Sequence, residues 1–157
     1  MASYKYNFET NWKFESDIHQ VWGLIAGFKY SDWWRGVSSE RIYQGSREDG
    51  IGDKYNYVFR TKLSYQLDFV AEIVRKEEPK YLEIKATGEL EGRGVWKLTQ
   101  ESNITHVQYV WQVNANKKWM NRLAPLLRPA FIWNHDQVMD EGAKGVAAAL
   151  GVKLLSK

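Results

Sequence analysis

The sequence predicts an α+β fold: a curved seven-stranded antiparallel sheet wrapped around one long C-terminal helix, with two short helices after the first strand. Three observations carry that expectation. From Val37 to about Val113 apolar residues recur with period two, broken by turn-forming clusters every ten or so residues, as in an antiparallel meander. From Lys117 to about Leu150 the period becomes helical. The chain also carries 8 Trp, 9 Tyr and 6 Phe, large rigid side chains that suit a dense core or a lined pocket.

The elements follow in order. Tyr4, Tyr6 and Phe8 alternate and then, after a change of phase, Trp12 and Phe14, which reads as a long first strand ending at Phe14. Ser16 is a natural N-cap, Asp17 favours the positive first turn, and Ile18, Val21, Trp22 and Ile25 form a helical stripe that Gly27 ends. A second short helix is expected from Ser31 or Asp32 through Trp34, before Gly36. Strands then fall at 38–44, 53–61, 66–76, 80–87, 92–100 and 104–113. Their connections hold turn chemistry: Gly45 to Gly52, Glu77-Glu78-Pro79-Lys80, Thr87-Gly88 and Glu101-Ser102-Asn103. Pro125 and Pro129 predict a curved or broken start to the last helix and a straight run from about Ala130 to Leu150. Gly142, Gly145 and Ala147 to Ala149 make its later turns slim, which lets a helix lie close against a sheet.

Composition bounds the function. The 157 residues fit a single domain, 1–157, able to bury roughly 70% of its unfolded surface. Hydrophobic residues make up 44% and charged residues 26%, so neither disorder nor a membrane protein is suggested. No cysteine is present, which removes disulfides, thiolate chemistry and cysteine-based metal sites and fits a cytoplasmic setting. The start of the chain lacks the basic and apolar segments of a signal peptide, and no stretch predicts stable membrane insertion. A net charge of +3, with acidic residues interspersed as in Arg75-Lys76-Glu77-Glu78, gives no basic patch for nucleic acid.

Several motifs sharpen the fold. The helix Ile18-x-x-Val21-Trp22, the segment Tyr30-x-x-Trp33-Trp34, the glycine-rich turn Gly45 to Gly52, Gly92-x-Gly94-x-Trp96-x-Leu98, and Trp133-Asn134-His135-Asp136 follow one another in this order. With them, nearly the whole chain resembles the START/Bet v1-like (SRPBCC) superfamily, specifically its polyketide cyclase/dehydrase and lipid-transport type proteins. The resemblance implies a helix-grip fold with a cavity between sheet and helix that opens near the short helices, and a role in lipid binding, transport or cyclisation.

Strand phase sets the expected inner walls: Tyr55, Tyr57 and Phe59; Leu67, Phe69 and Ala71; Leu82, Ile84 and Ala86; Trp96 and Leu98; Val107, Tyr109 and Trp111. Leu123, Leu127, Phe131, Asn134 and Val138 would face them from the helix. The expected ligand contacts are Trp34, Arg35, Tyr57, Phe59, Phe69, Trp96, Tyr109, Trp111, Leu127, Phe131, Asn134 and Val138, with the mouth near Trp34 and Arg35. A filled aromatic core fits the same residues, and the resemblance favours a cavity.

Catalytic signals are sparse. His135 is the best general acid or base by type, although adjacent helical residues diverge by about 100°, so Asp136 is not expected to orient it. A structural reading stands beside this one, in which Asn134 and His135 satisfy strand or loop backbone. Glu89, Glu91 and Arg93 read as a solvated ion-pair cluster, and His19, His106 and His135 have no metal-ligand spacing. Gly45 to Gly52 lacks the ending of a phosphate loop, Gly92-x-Gly94 indicates a bend or close approach, and no nucleophile elbow occurs. The leading expectation is a cofactor-independent binding or carrier protein for a small, largely apolar, lipid-like or polyketide-like molecule, monomeric or weakly dimeric. The alternative is a polyketide cyclase/dehydratase-type enzyme using the same cavity.

Overall fold

Alternation in the first described residues produces β1, Lys5–Phe14, and a computed structural model describes the chain over residues 5–63 and 65–157. Tyr6, Phe8, Thr10, Trp12 and Phe14 keep one inward register, so the expected change of phase does not occur: Thr10 fills the position between Phe8 and Trp12. Tyr4 lies outside the described residues. After β1 comes α1, Ile18–Ile25, whose N-cap is Asp17 and not Ser16: the Asp17 carboxylate accepts from the His19 N–H at 2.8 Å. Ser16 is buried instead, with its carbonyl accepting from the Thr105 hydroxyl. The expected second helix is a single 3-10 turn at Tyr30–Asp32.

The meander forms β2 (Val37–Tyr43), β3 (Lys54–Arg60), β4 (Gln66–Glu77), β5 (Tyr81–Gly88), β6 (Leu90–Glu101) and β7 (Ile104–Ala115). These join β1 in an open antiparallel sheet of eight strands, in the order β2-β3-β4-β5-β6-β7-β1-β8. The strand beyond the expected seven is β8, Leu154–Ser156, which follows the helix and pairs with β1. Its three residues are too short a run to show a period.

The helix α2 runs from Lys118 to Leu150 as one element with both prolines inside it, so of the curved or broken start expected, the break does not appear. Pro125 and Pro129 are both exposed. Gly151 ends the helix at φ +64°, a left-handed conformation that glycine adopts without strain. The expected inner face also shifts, because Leu123 is exposed while Met120, Ala124, Phe131, Asn134, Met139, Ala143 and Val146 are buried.

One end of the space between sheet and helix is solid. Trp12, Trp34 and Trp96 pack at 5.7–6.2 Å between ring centres, and Trp96 stacks on Tyr109 at 3.9 Å. The slim helix turns allow this packing. A methyl group at Gly142 would come within 2.7 Å of the Trp34 indole, and one at Gly145 would collide with the Trp33 carbonyl. On the sheet, Gly92 passes so close to the backbone at Gln112 that no side chain fits, and Gly94 leaves room for the rings of Tyr109 and Trp111.

Candidate functional site

The other end, under the first two thirds of α2, is hollow. A cavity of about 70 Å³ lies there. Tyr6 and Phe8 enter from the start of β1, Phe59 from β3, and Thr61, Tyr65 and Leu67 from the turn and strand after it. Leu90 of β6 and Tyr109, Trp111, Val113 and Ala115 of β7 make the sheet wall, and α2 closes the space with Met120, Phe131, Asn134, His135, Val138 and Met139. At roughly 10–15 Å³ for each water-sized group, it has room for several such groups.

Of the expected contacts, the structure brings Phe59, Tyr109, Trp111, Phe131, Asn134 and Val138 together around this cavity, and His135, the candidate acid or base, lines it too. Trp34, Arg35, Tyr57, Phe69, Trp96 and Leu127 do not line it. Trp34 is packed into the solid end, its indole N–H donating to the Val138 carbonyl at 2.8 Å. Arg35 is exposed on the loop before β2. Tyr57 and Phe69 pack on each other at 5.1 Å behind the wall, and Leu127 is half-buried against the core. The expected opening near the short helices is filled because the Trp33-Trp34 segment packs there against α2.

Tyr6, Phe8, Tyr65, Leu90, Val113, Ala115, Met120 and Met139 line the cavity without having been singled out as ligand contacts. Signals for some exist: Tyr6 and Phe8 are in phase along β1, and Met120 lies eleven residues before Phe131, close to three helical turns.

Polar groups at the wall divide into bonded and unbonded. Asn134 follows the structural reading, its side-chain carbonyl accepting from the Lys62 backbone N–H at 3.1 Å and so pinning the β3-β4 turn to α2. Burial pushes the Tyr65 hydroxyl up to about 12, against an opposing contribution from its contact with Asn134. Burial, with Tyr30 nearby, likewise holds the Tyr109 phenol well above its usual range.

His135 is different. Neither ring nitrogen has a hydrogen-bond partner, although Asp136 Oδ1 stands 3.5 Å from Nδ1, and the ring stacks on Phe8 at 3.7 Å. Burial drives its pKa down to about 4, outweighing Asp136, so the imidazole is neutral at physiological pH. The Tyr6 hydroxyl is also buried without a partner, beneath the Arg128 guanidinium that lies 4.6 Å from its ring centre.

Elsewhere the ionic clusters are superficial. Arg93 pairs with Glu83 rather than Glu91, and Glu89 pairs with Lys117. His19 is exposed and His106 lies near Asn11, and among the described residues no group of metal-ligating side chains converges.

No protein-family model matches the chain, and no curated protein matches it. Solved structures do match. The protein TTHA0849 from Thermus thermophilus superposes with a TM-score of 0.69 at 15% identity, covering 92% of this chain and 99% of that one. A conserved protein from Geobacillus kaustophilus gives 0.67 at 17% identity, covering 92% and 97%. The di-domain ARO/CYC protein StfQ of the steffimycin biosynthetic pathway gives 0.63 at 12% identity, covering 94% of this chain and 52% of that one. The chain shares their fold.

Proposed function

We propose that this chain is a START/Bet v1-like binding or carrier protein whose ligand is small, largely apolar and uncharged, with one hydroxyl or carbonyl group. The observation that carries this reading is the pairing of apolar walls with the unpartnered polar atoms of Tyr6 and His135. Buried polar atoms without partners cost free energy, and a ligand group that bonded either of them would remove part of that cost. A neutral imidazole and a phenol can each bond a neutral hydroxyl or carbonyl group. Met120 and Met139, unbranched and adaptable, can shift to admit a ligand larger than the present space.

The same reading takes residues 1–157 as one domain acting in the cytoplasm as a monomer or weak homodimer, without nucleic acid, metal or cofactor. Mass spectrometry of an organic extract of the purified protein, with a titration of N-phenyl-1-naphthylamine, tests it. A carried small molecule or saturable probe binding supports the reading. An empty protein with no saturable binding overturns it.

A second reading, cofactor-independent cyclase/dehydratase chemistry, draws on the fold shared with the ARO/CYC protein StfQ and on the unbonded ring of His135. A base whose conjugate acid has a pKa near 4 is weak at neutral pH, and proton transfer works best when that pKa lies near the working pH. The carrier reading therefore stands first. If His135 does transfer a proton, His135→Ala lowers the turnover of a polyketide-type enol by about 10²- to 10⁴-fold. An unchanged rate removes it from the mechanism.

A further inference from the structure

Along α2, beside the face that meets the sheet, Trp119, Leu123, Leu126 and Trp133 follow one another at spacings of four, three and seven residues and so share a side of the helix. All four are exposed, Leu126 to 77%. Lys118 and Arg122, both exposed, border the stripe, and no Asp or Glu occurs between Ser102 and His135. The β3-β4 turn joins this surface. Its Lys62 backbone N–H is held by Asn134, its Leu63 is 40% exposed, and Tyr65 meets the Trp119 ring at 5.6 Å.

We propose that this side of α2, with the β3-β4 turn, docks flat on an anionic lipid surface. Tryptophan and leucine flanked by Lys and Arg is the pattern of a helix that lies in a membrane interface, the rings at headgroup level and the cations on lipid phosphates. No helix among the described residues is long and apolar enough to cross a membrane, so contact is peripheral. Met120 and Phe131, on the neighbouring face of the same turns, line the cavity, so one helix separates the lipid surface from the ligand space.

Cosedimentation of the full chain with phosphatidylcholine vesicles, and with vesicles of phosphatidylcholine and phosphatidylglycerol, tests this. We expect about tenfold stronger partition onto the anionic vesicles, weakening as salt is raised. Leu126→Asp with Trp133→Asp lowers partition about tenfold or more, and Lys118→Glu with Arg122→Glu abolishes the anionic preference. Because these side chains are exposed, the variants keep the parent circular dichroism and Tm. Absence of binding to either vesicle, or binding that ignores both double variants, overturns the proposal. So does a concentration-dependent dimer that Leu126→Asp dissolves. Probe titration of the same variants reads the cavity separately, so failure at the membrane leaves the ligand reading intact.

Discussion

His135 sits with both ring nitrogens buried and unbonded while its face stacks on Phe8, an arrangement that penalises the charged form and gives the neutral form nothing to hold. Its folded pKa of about 4 lies below the ordinary 6.5, so between these values the unfolded chain binds more protons and stability falls as pH falls. Above the ordinary value the neutral ring is untroubled. Below about 4 the full penalty is present, on the order of 3 kcal/mol. His135→Phe keeps the stacking and removes the titration. Urea unfolding between pH 4 and 7 should therefore show a flatter stability profile for the variant, and an unaltered slope would mean that the ring is solvated. Tyr6 offers a matching test on the ligand side. Tyr6→Phe removes a hydroxyl with no partner in the protein, so Tm should hold, while the preference for 1-naphthol over naphthalene falls by about tenfold, the worth of one good hydrogen bond.

At the scale of elements, the later turns of α2 show how a helix and an aromatic segment select each other's size. Gly142 faces the Trp34 indole, which a methyl group would approach to 2.7 Å, and Trp12 at 3.0 Å blocks retreat. Gly142→Ala thus adds a helix-propensity gain of about 1 kcal/mol to an overpacking cost of about 1–3 kcal/mol, and a lowered Tm is expected. Gly23→Ala in α1, where nothing lies within 4 Å, should raise stability by up to about 1 kcal/mol. The slim turns themselves were legible, because Gly142, Gly145 and three alanines stand together in the sequence. What the small residues make room for was not, since it depends on Trp33 and Trp34 approaching from more than a hundred residues away. The strand faces were legible for the same local reason: period two places Leu82, Ile84 and Ala86 inward regardless of what they meet. Helix phase was less secure, since Leu123 fits an apolar stripe by spacing and yet is exposed beside buried Ala124.

For the whole molecule, the question is which end of the space between sheet and helix is hollow. Periodicity names inward residues without saying whether they touch, and the same alternation serves a filled core and a cavity wall. Ring size decides it here. Trp12, Trp34 and Trp96 meet at the α1 end and fill it, whereas β7 ends on Val113 and Ala115, too small to reach Met120 and Phe131 across the gap. That contrast explains why Trp34 and Trp96, expected as contacts, stand outside the cavity under α2. It also indicates how to close the cavity by design. Ala115 is buried at the cavity wall, and Ala115→Leu adds three carbons to apolar space without displacing a hydrogen bond. Filling a void recovers dispersion contacts, so Tm should stay level or rise by a few degrees, about 2–4 °C for each kcal/mol gained in a domain of this size. Binding of N-phenyl-1-naphthylamine should weaken at the same time by at least about tenfold, as the probe loses the volume it needs. Calorimetry and fluorescence on the same preparation separate these effects. A variant that is as stable as the parent and binds the probe equally well would place the probe outside the cavity under α2.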